Sequence, residues 1–284
     1  MKRFFIPSLC LLAGPLCVAC FSSTLKDGET EEEGFRVTFR CAEYEQVPFE
    51  TRAIVIGQYA SRLDFAVFDA DGTRVKNITQ VAPSTDFGTV SVRLSEGDYT
   101  VVAVAHNGEK KATLTSPSKI TFDSNKVTDT FVYHKEISVE SAEAYNMEMK
   151  RCVAMVRLLM TDESFPDTEQ FQFYYTGGSS TLDATTGLGC VASRQTEKRP
   201  LNSDGIYEIY TFPRSDSSGL KLTISALNAA GETVGEKVLE SVPVAQNKIT
   251  VYEGTFFTGA ASQHETNGTF YTDDTWTFNG YYDL

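Results

Sequence analysis

Apolar and polar residues alternate with a period of two along much of the chain. The clearest case is residues 35–40, where Phe35, Val37 and Phe39 alternate with two arginines and a threonine. Successive side chains of a β-strand point to opposite faces of the sheet, so such a segment buries one face and exposes the other. The segment is therefore predicted to be a half-buried strand, with Phe35, Val37 and Phe39 directed inward.

Residues typical of tight turns separate the alternating segments at intervals of about 8 to 12 residues. Asp71-Gly72, Asn107-Gly108 and Ala230-Gly231 each follow a β-prone run. Glycine accepts a positive φ at little cost, which makes such pairs typical of hairpins. Strands do not alternate with long helical segments, so the sequence predicts antiparallel β-sandwiches rather than a βαβ fold. A short helix is expected near residues 141–145.

The alternation breaks at residues 162–167, which read Asp-Glu-Ser-Phe-Pro-Asp. Proline lacks a backbone donor and acidic side chains prefer solvent, so this hexapeptide is predicted to link two domains. Residues 147–161 show no helical stripe and are expected to form a strand before the link. The N-terminal sandwich is placed at residues 35–161 and the C-terminal sandwich at residues 162–284, each long enough for its own core.

Residues 1–19 have the pattern of a secretory signal peptide. A basic start precedes an apolar run that is interrupted by two prolines and is shorter than the roughly 20 residues needed to cross a bilayer. Val18-Ala19 before Cys20 resembles the end of a bacterial lipoprotein processing site, so Cys20 is expected to carry the lipid. Cys17 stands where that site usually has leucine, and the alternative is ordinary cleavage that leaves Cys20 a free thiol.

Residues 20–34 are polar and acidic. Five carboxylates lie between Asp27 and Glu33, and Lys26 alone offsets them. Such a segment cannot bury enough apolar area to repay its ordering entropy, so it is expected to be a flexible tether between the lipid and the folded body. The whole chain has a formal net charge of -13. Nucleic acid is therefore excluded as a partner, because its binding depends on Lys and Arg contacts to phosphate.

The chain carries no motif of catalysis or metal binding in a suitable context. His106, His134 and His264 stand in neither an HExxH nor a Cys-His spacing. Residues 177–180, Gly-Gly-Ser-Ser, lack the strand-to-helix setting of a nucleophile elbow. Residues 187–189 lack the third glycine of a dinucleotide fingerprint. We therefore expect no enzyme activity, no cofactor, no metal and no small-molecule substrate.

Three cysteines follow the expected lipidation site, namely Cys41, Cys152 and Cys190. They allow one disulfide at most, which an oxidising envelope compartment would permit. The count is odd and no CxxC pair is present, so neither a disulfide framework nor a zinc site is indicated. We interpret all three as small apolar core residues, with one disulfide as the alternative.

Aromatic residues are concentrated near the C-terminus. They are Phe270, Tyr271, Trp276, Phe278, Tyr281 and Tyr282. One interpretation is a platform on which sugars stack, and it would make the chain a lipid-anchored glycan or host-ligand binding module. The other interpretation, which we favour, is packing, because Trp276, Phe278 and Tyr282 alternate as one face of a strand.

Six segments, taken in order, resemble the FimB-type fimbrial subunit family of Bacteroidales. They are RLDFAVFDADGTRVK, LSEGDYTVVAVAHNG, KVTDTFVYHKEISV, RCVAMVRL, FYYTGGSSTLDATTG and VPVAQNKITVYEGTFF. No single segment is a catalytic motif, but their order and spacing together make the resemblance specific. The resemblance covers nearly the whole chain after the signal peptide.

The resemblance implies a surface-exposed lipoprotein of the cell outer membrane with two tandem transthyretin-like antiparallel β-sandwich domains. It implies a fimbrial (pilus) subunit, either an anchor or an accessory subunit, whose partners are other fimbrial subunits and, through the lipid, the outer membrane. Fimbriae of this class polymerise by β-strand complementation. An incomplete sheet exposes backbone donors, acceptors and an apolar groove, and a donated strand covers them.

Polymerising relatives are cut after an arginine near the start of the first sandwich. Arg52-Ala53 stands in a comparable place, and Arg40 is a second candidate. The alternative is a loop arginine, since an anchor would keep its N-terminal strand. The strand of Phe35, Val37 and Phe39 is accordingly expected at an edge of the N-terminal sandwich, where its loss would expose a groove.

Overall fold

The structure is a computed structural model that describes residues 33–41, 44–45, 53–54, 56–257 and 276–284. Apart from two short 3₁₀ turns, every regular element in these ranges is a strand, and the predicted all-β fold is confirmed. The described ranges contain no helix that is long and apolar enough to span a membrane. The predicted signal peptide, and the tether as far as residue 32, lie outside the described residues.

The strands are numbered in chain order. The first twelve are β1 (Phe35–Cys41), β2 (Tyr44–Glu45), β3 (Ala53–Ile54), β4 (Arg62–Asp69), β5 (Arg74–Val81), β6 (Thr89–Leu94), β7 (Gly97–His106), β8 (Thr113–Ser116), β9 (Lys119–Thr121), β10 (Thr130–Val139), β11 (Glu143–Met147) and β12 (Lys150–Arg151). The remaining ten are β13 (Ala154–Met160), β14 (Gln170–Thr176), β15 (Thr181–Asp183), β16 (Leu188–Gly189), β17 (Arg194–Pro200), β18 (Ile206–Thr211), β19 (Leu220–Leu227), β20 (Thr233–Val242), β21 (Lys248–Gly254) and β22 (Thr277–Asp283). The 3₁₀ turns are Ile56–Gln58 and Asp123–Asn125.

Four larger sheets contain most of these strands. Sheet 1 has the order β11-β1-β6, sheet 2 the order β12-β10-β7-β4-β5, sheet 3 the order β18-β13-β21-β22, and sheet 4 the order β17-β14-β19-β20. A small sheet, β16-β15-β9-β8, joins strands from both halves of the chain, and β2 pairs with β3. Most neighbours are antiparallel, whereas β1–β11, β13–β21 and β21–β22 are parallel.

The first hydrophobic core lies between sheets 1 and 2. Val37 and Phe39 enter it from β1, and Phe65 and Val101 enter it from sheet 2. All four are fully buried, so the predicted inward direction is confirmed for Val37 and Phe39. Phe35, at the start of β1, is 36% exposed, and its predicted inward position is wrong.

β4 and β7, the strands in the middle of sheet 2, are buried on both faces. Phe65 and Val67 of β4 face the first core, whereas Ala66 and Phe68 face a second core on the other side. A strand that is covered on both faces needs apolar residues at consecutive positions, which is why residues 65–68 of β4 are all apolar and do not alternate with polar residues.

The second core joins the two halves of the chain. It contains Val104 of sheet 2, Val251 of sheet 3, Leu182 of the small sheet, and Trp276. A third core lies between sheets 3 and 4. The four sheets are therefore layered in numerical order with a core between each neighbouring pair, and residues Glu33–Leu284 form one compact unit.

The seven main strands of the N-terminal half are repeated in the C-terminal half. Strands β1, β4, β5, β6, β7, β10 and β11 correspond in order to β13, β14, β17, β18, β19, β20 and β21. In both halves the first strand pairs antiparallel with the fourth and parallel with the seventh. Sheets 1 and 2 are thus one sandwich, and sheets 3 and 4 are a second with the same strand order.

The segment predicted as a single strand at residues 147–161 is divided among three strands. Its last part, β13, pairs with β18 and β21 of sheet 3, so its placement in the N-terminal sandwich was wrong. The chain therefore passes from one sandwich to the other near residues 152 and 153, before the hexapeptide at 162–167. The proline and acidic residues of this hexapeptide do mark an exposed turn. The turn connects β13 to β14, which both belong to the second sandwich, and so it does not link the two domains.

Candidate functional site: the first strand and its groove

β1 is the middle strand of sheet 1, so the expectation that it lies at an edge is wrong. It runs antiparallel to β6 from Phe35 to Arg40 and parallel to β11 from Val37 to Cys41. The reason is that residues 143–147, which overlap the segment expected to form a short helix at 141–145, form β11 and cover the second side of β1. The backbone of β1 is therefore bonded on both sides.

The side chains of β1 fill the centre of the first core. The Phe39 ring lies 5.0 Å from the Phe65 ring and 5.4 Å from the Tyr145 ring, measured between centroids. Val37 is fully buried beside it. Burial of each such side chain contributes roughly 1.5–3 kcal/mol, so these two positions account for a large part of the strand's attachment.

Both ends of β1 are fixed by close contacts. Gly34 adopts φ +119°, and a Cβ at that position would lie 2.5 Å from the Leu94 carbonyl oxygen. At the other end, the Cys41 N–H donates to the Gly88 carbonyl at 2.8 Å. Burial raises the pKa of the Cys41 thiol to about 12. The register of β1 is therefore specified at both ends, because a slip of one residue would turn every side chain to the wrong face.

This arrangement defines a groove that one extended strand fills. Removal of β1 would leave β6 and β11 with unpaired donors and acceptors facing each other, and an apolar cavity where Val37 and Phe39 now pack. A strand with the same alternation could occupy this space, because backbone pairing provides affinity and alternate side chains provide specificity.

The predicted processing site lies partly outside the described residues. Arg52 is not among them, and neither is the predicted lipidation site Cys20. Ala53 begins β3, where its backbone pairs with Glu45 of β2. The second candidate, Arg40, lies within β1 itself, opposite Thr89 of β6.

The most enclosed ionisable pair of the N-terminal sandwich is Asp64 with His106. His106 Nε2 lies 3.0 Å from Asp64 Oδ2, and both side chains are at most 1% exposed. Asp64 also accepts hydrogen bonds from the Ala112 N–H at 2.6 Å and the Thr79 hydroxyl at 2.6 Å. The Gly108 N–H donates to His106 Nδ1 at 2.9 Å, so Nε2 carries the hydrogen. These bonds hold the loop after β7 against sheet 2, and sequence reasoning missed them because the partners are far apart in the chain.

The described residues contain no group of three side chains that could hold a metal ion. Cys41, Cys152 and Cys190 are free thiols. Cys152 is buried as predicted, and Cys41 is half-buried, but Cys190 is exposed and its assignment to the core was wrong.

Three of the C-terminal aromatic side chains, those of Trp276, Tyr281 and Tyr282, pack against the fold. Trp276 is buried, and the Arg151 guanidinium carbon lies 4.1 Å from its ring centroid. A bulge in the β21–β22 ladder shifts the register, so Tyr281 packs on the second core while Tyr282 stacks on Tyr252 at 5.0 Å. The predicted common face of Trp276 and Tyr282 is therefore wrong. Phe270 and Tyr271 lie outside the described residues.

Comparison with known proteins gives a family and a fold. A family of unknown function, DUF6562, matches residues 29–279. No curated protein matches the sequence. A candidate adhesin of Bacteroides ovatus has a TM-score of 0.50 and 11% identity, over 80% of this chain and 91% of that chain. At this identity the likeness extends to the fold alone.

Two further solved structures are more distant. A fimbrial assembly protein of Parabacteroides distasonis has a TM-score of 0.43 and 13% identity, over 78% of this chain and 91% of that chain. The fimbrial anchor protein Mfa2 of Porphyromonas gingivalis has a TM-score of 0.40 and 12% identity, over 71% of this chain and 81% of that chain.

Proposed function

The chain belongs to DUF6562, a family of unknown function, and we propose that it is a fimbrial subunit that joins its neighbours by β-strand complementation. The observation that carries this proposal is the position of β1, which is bonded on both sides and fills an apolar groove between β6 and β11. The sequence resemblance to FimB-type subunits supports the same role.

In the proposed mechanism, cleavage after Arg52 releases the segment that contains β1. The groove then accepts an extended strand from a neighbouring subunit, antiparallel to β6 and parallel to β11. Loss of two fully buried side chains is a large change for a fold whose total stability is typically about 5–15 kcal/mol. A subunit that is not cleaved keeps its groove filled and therefore ends a polymer, which suits an anchor.

We propose that the uncleaved protein is held on the outer membrane by a lipid on Cys20, with residues 21–34 as the tether. Cleavage after Arg52 would remove the lipid and the tether together with β1. Each acyl chain contributes about 0.8 kcal/mol per buried methylene, and stable anchoring takes two signals, such as two chains. The proposed role is binding to other fimbrial subunits, without catalysis and without a cofactor.

The test compares the intact chain with a body that begins at Ala53. A peptide of residues 33–41 is added to each, and binding is measured by calorimetry together with the melting temperature. We expect the truncated body to melt lower, to bind the peptide and to regain part of the lost stability, whereas the intact chain should not bind.

A control peptide with Phe39→Asp should not bind, because the substitution would bury an unpaired charge in the groove. The proposal would be overturned by a truncated body that stays monomeric, melts like the intact chain and binds neither the peptide nor purified fimbrial subunits.

A further inference from the structure

The two sandwiches repeat the same strands but differ on one side. In the C-terminal sandwich, β22 lies parallel beside β21 and covers its outer edge. The corresponding strand of the N-terminal sandwich is β11, and among the described residues no strand lies beside its outer edge. The repeat therefore shows a place where one sandwich has an added strand and the other has none in the part of the chain that the structure describes.

Two equivalent hydrogen bonds align the residues of the first sandwich with those of the second. The Cys41 N–H donates to the Gly88 carbonyl at 2.8 Å, and the Met160 N–H donates to the Gly205 carbonyl at 2.9 Å. Each glycine immediately precedes the antiparallel neighbour, β6 or β18. Cys41 thus corresponds to Met160, and the end of β1 is aligned with the end of β13.

In this alignment of the two halves, Tyr145 of β11 corresponds to Tyr252 of β21. Tyr145 lies opposite Phe39, and Tyr252 lies opposite Leu158, two residues before the aligned ends in each case. The Tyr252 ring stacks on Tyr282 of β22, with an interplanar angle of 23°. Tyr145 has the same position in its own sandwich, and there Lys135 Nζ lies 4.8 Å from the ring centroid in place of a ring from an added strand.

A second pair of corresponding residues lies on the facing sheets. The neighbouring pair Arg62–His106 of the first half corresponds to Gln170–Leu227 of the second half. Three residues along β7 and β19, the pair Ala103–Tyr133 corresponds to Ile224–Lys237. They match Tyr133 of β10 with Lys237 of β20. Lys237 Nζ donates to the Leu284 carbonyl at 3.0 Å and so holds the end of the added strand. Tyr133 Oη is buried and has no hydrogen-bond partner in the described part of the chain.

A cleft lies where these features meet. It has a volume of about 580 Å³, and its lining includes Tyr133, Asn146, Glu148 and Lys150. Asn146 corresponds to Glu253, whose carbonyl accepts the Leu284 N–H at 2.8 Å. At Tyr133 and Asn146 the cleft therefore borders the place that the end of β22 takes in the other sandwich, and residues 184–187 and Gln246 of the C-terminal half also line it. A buried hydroxyl without a partner is costly, so an arriving strand that offers an acceptor is favoured to draw the Tyr133 hydroxyl, now buried beneath the cleft surface, into a hydrogen bond.

We propose that this cleft and the outer edge of β11 bind an extended strand of a second protein chain, running parallel to β11. The strand stacks an aromatic side chain on Tyr145 and presents a backbone carbonyl to Tyr133 Oη. Its chemistry is that of β22, which is extended and rich in tyrosine. The site is distinct from the β1 groove, so an uncleaved subunit can use it, and the inference rests on the proposed function only for the nature of the partner.

The test uses the intact chain and a fluorescent peptide of residues 276–284, the sequence that fits the corresponding position. We expect saturable binding by anisotropy and new protection of β11 amides in hydrogen exchange. Tyr133→Phe removes only the hydroxyl and should weaken binding roughly 3- to 10-fold, the effect of one hydrogen bond. A Tyr282→Ala peptide should also bind more weakly. Tyr174→Phe, at an exposed tyrosine of sheet 4, is the matched control and should have no effect.

Four results would overturn the inference. The first is an absence of binding at millimolar peptide, and the second is binding that Tyr133→Phe leaves unchanged. The third is protection at β21 instead of β11, which would mean that the peptide had replaced the protein's own β22. Slow exchange along the outer edge of β11 in the free chain would likewise show that this edge is already covered. Because β1 stays in place throughout, these outcomes are independent of the truncation experiment.

Discussion

The three cysteines of the folded body have three different environments. Burial raises the pKa of Cys41 to about 12. Cys152 is fully buried, its thiol donates to the Thr130 carbonyl at 3.3 Å, and burial raises its pKa well above the ordinary value. Cys190 is exposed, and partial burial followed by the charge of Asp183 raises its pKa. Since the thiolate is the reactive form, accessibility and pKa together decide which thiol reacts.

We expect Cys190 to be the first of the three to react with a thiol reagent in the folded protein at pH 8. A pKa of about 12 in place of 9 lowers the thiolate fraction of Cys41 about 1000-fold. The labelling rate of Cys41 should therefore rise about tenfold per pH unit for as long as the fold persists. Timed labelling of a Cys20→Ala variant, followed by mass spectrometry of its peptides, measures the labelling rate of each of the three cysteines.

Cys190→Ser is the control for the labelling experiment and should remove the fast phase. Labelling of Cys41 as fast as Cys190 in the folded chain would contradict the burial of the β1 end.

At the scale of elements, short strands are held by contacts that cross between sheets. β12 has two residues, and its Arg151 bonds to both carboxylate oxygens of Asp129, at 2.8 and 2.9 Å. The guanidinium also lies 4.7 Å from the Phe131 ring centroid and 4.1 Å from that of Trp276. One side chain thus ties β12 to β10 and to the residue that precedes β22. Arginine suits this place because its planar group pairs with a carboxylate and stacks on rings at once.

Arg151→Ala should destabilise the protein by about 3–5 kcal/mol, because it removes two charge-assisted hydrogen bonds from the partly buried Asp129 carboxylate. Arg151→Lys should cost less, since it keeps the charge and loses the paired bonds and the stack. Trp276 is the only tryptophan, so its fluorescence reports the contact directly during denaturant unfolding.

Arg214→Ala removes an exposed pair with Asp216 and is the matched control, with an expected cost of about 0–1 kcal/mol. An Arg151→Ala protein with unchanged stability and unchanged tryptophan emission would show that Arg151 does not hold β22.

At the scale of the whole molecule, the four sheets share three cores. Because the second core contains residues of sheets 2 and 3, the two sandwiches are joined by a buried apolar interface. The tether and lipid that we propose would attach this body to the outer membrane at its N-terminal end, directly before β1.

Cys20→Ala should release the protein from the membrane fraction and abolish fatty-acid labelling, because the variant has no thiol for the lipid. Fractionation followed by immunoblotting, with metabolic labelling, measures this. Cys190→Ala is the matched control and should leave the protein in the membrane. A Cys20→Ala protein that stays in the membrane fraction and keeps its label would refute the anchor.

The sequence alone determined the local features. The alternation of residues 35–40 identified β1 and the inward side of Val37 and Phe39, because the side-chain period of a strand is a local property. The Asp-Gly and Ala-Gly pairs located hairpins for the same reason: the Asp69 and Asn228 carbonyls accept from the N–H of Gly72 and Gly231, each at 2.9 Å. The all-β class followed from these signals taken together.

Only the tertiary structure decided which strands are neighbours. The period of two in residues 154–160 is the same in either sandwich, so it could not place β13 in sheet 3. The alternation could not reveal β11 either, because few residues of this strand are buried and its pattern of apolar positions is therefore weak. The bulge between β21 and β22, the Asp64–His106 pair and the burial of the Tyr133 hydroxyl all depend on residues far apart in the chain. Their positions follow from the layering of complete sheets, which no local window of sequence contains.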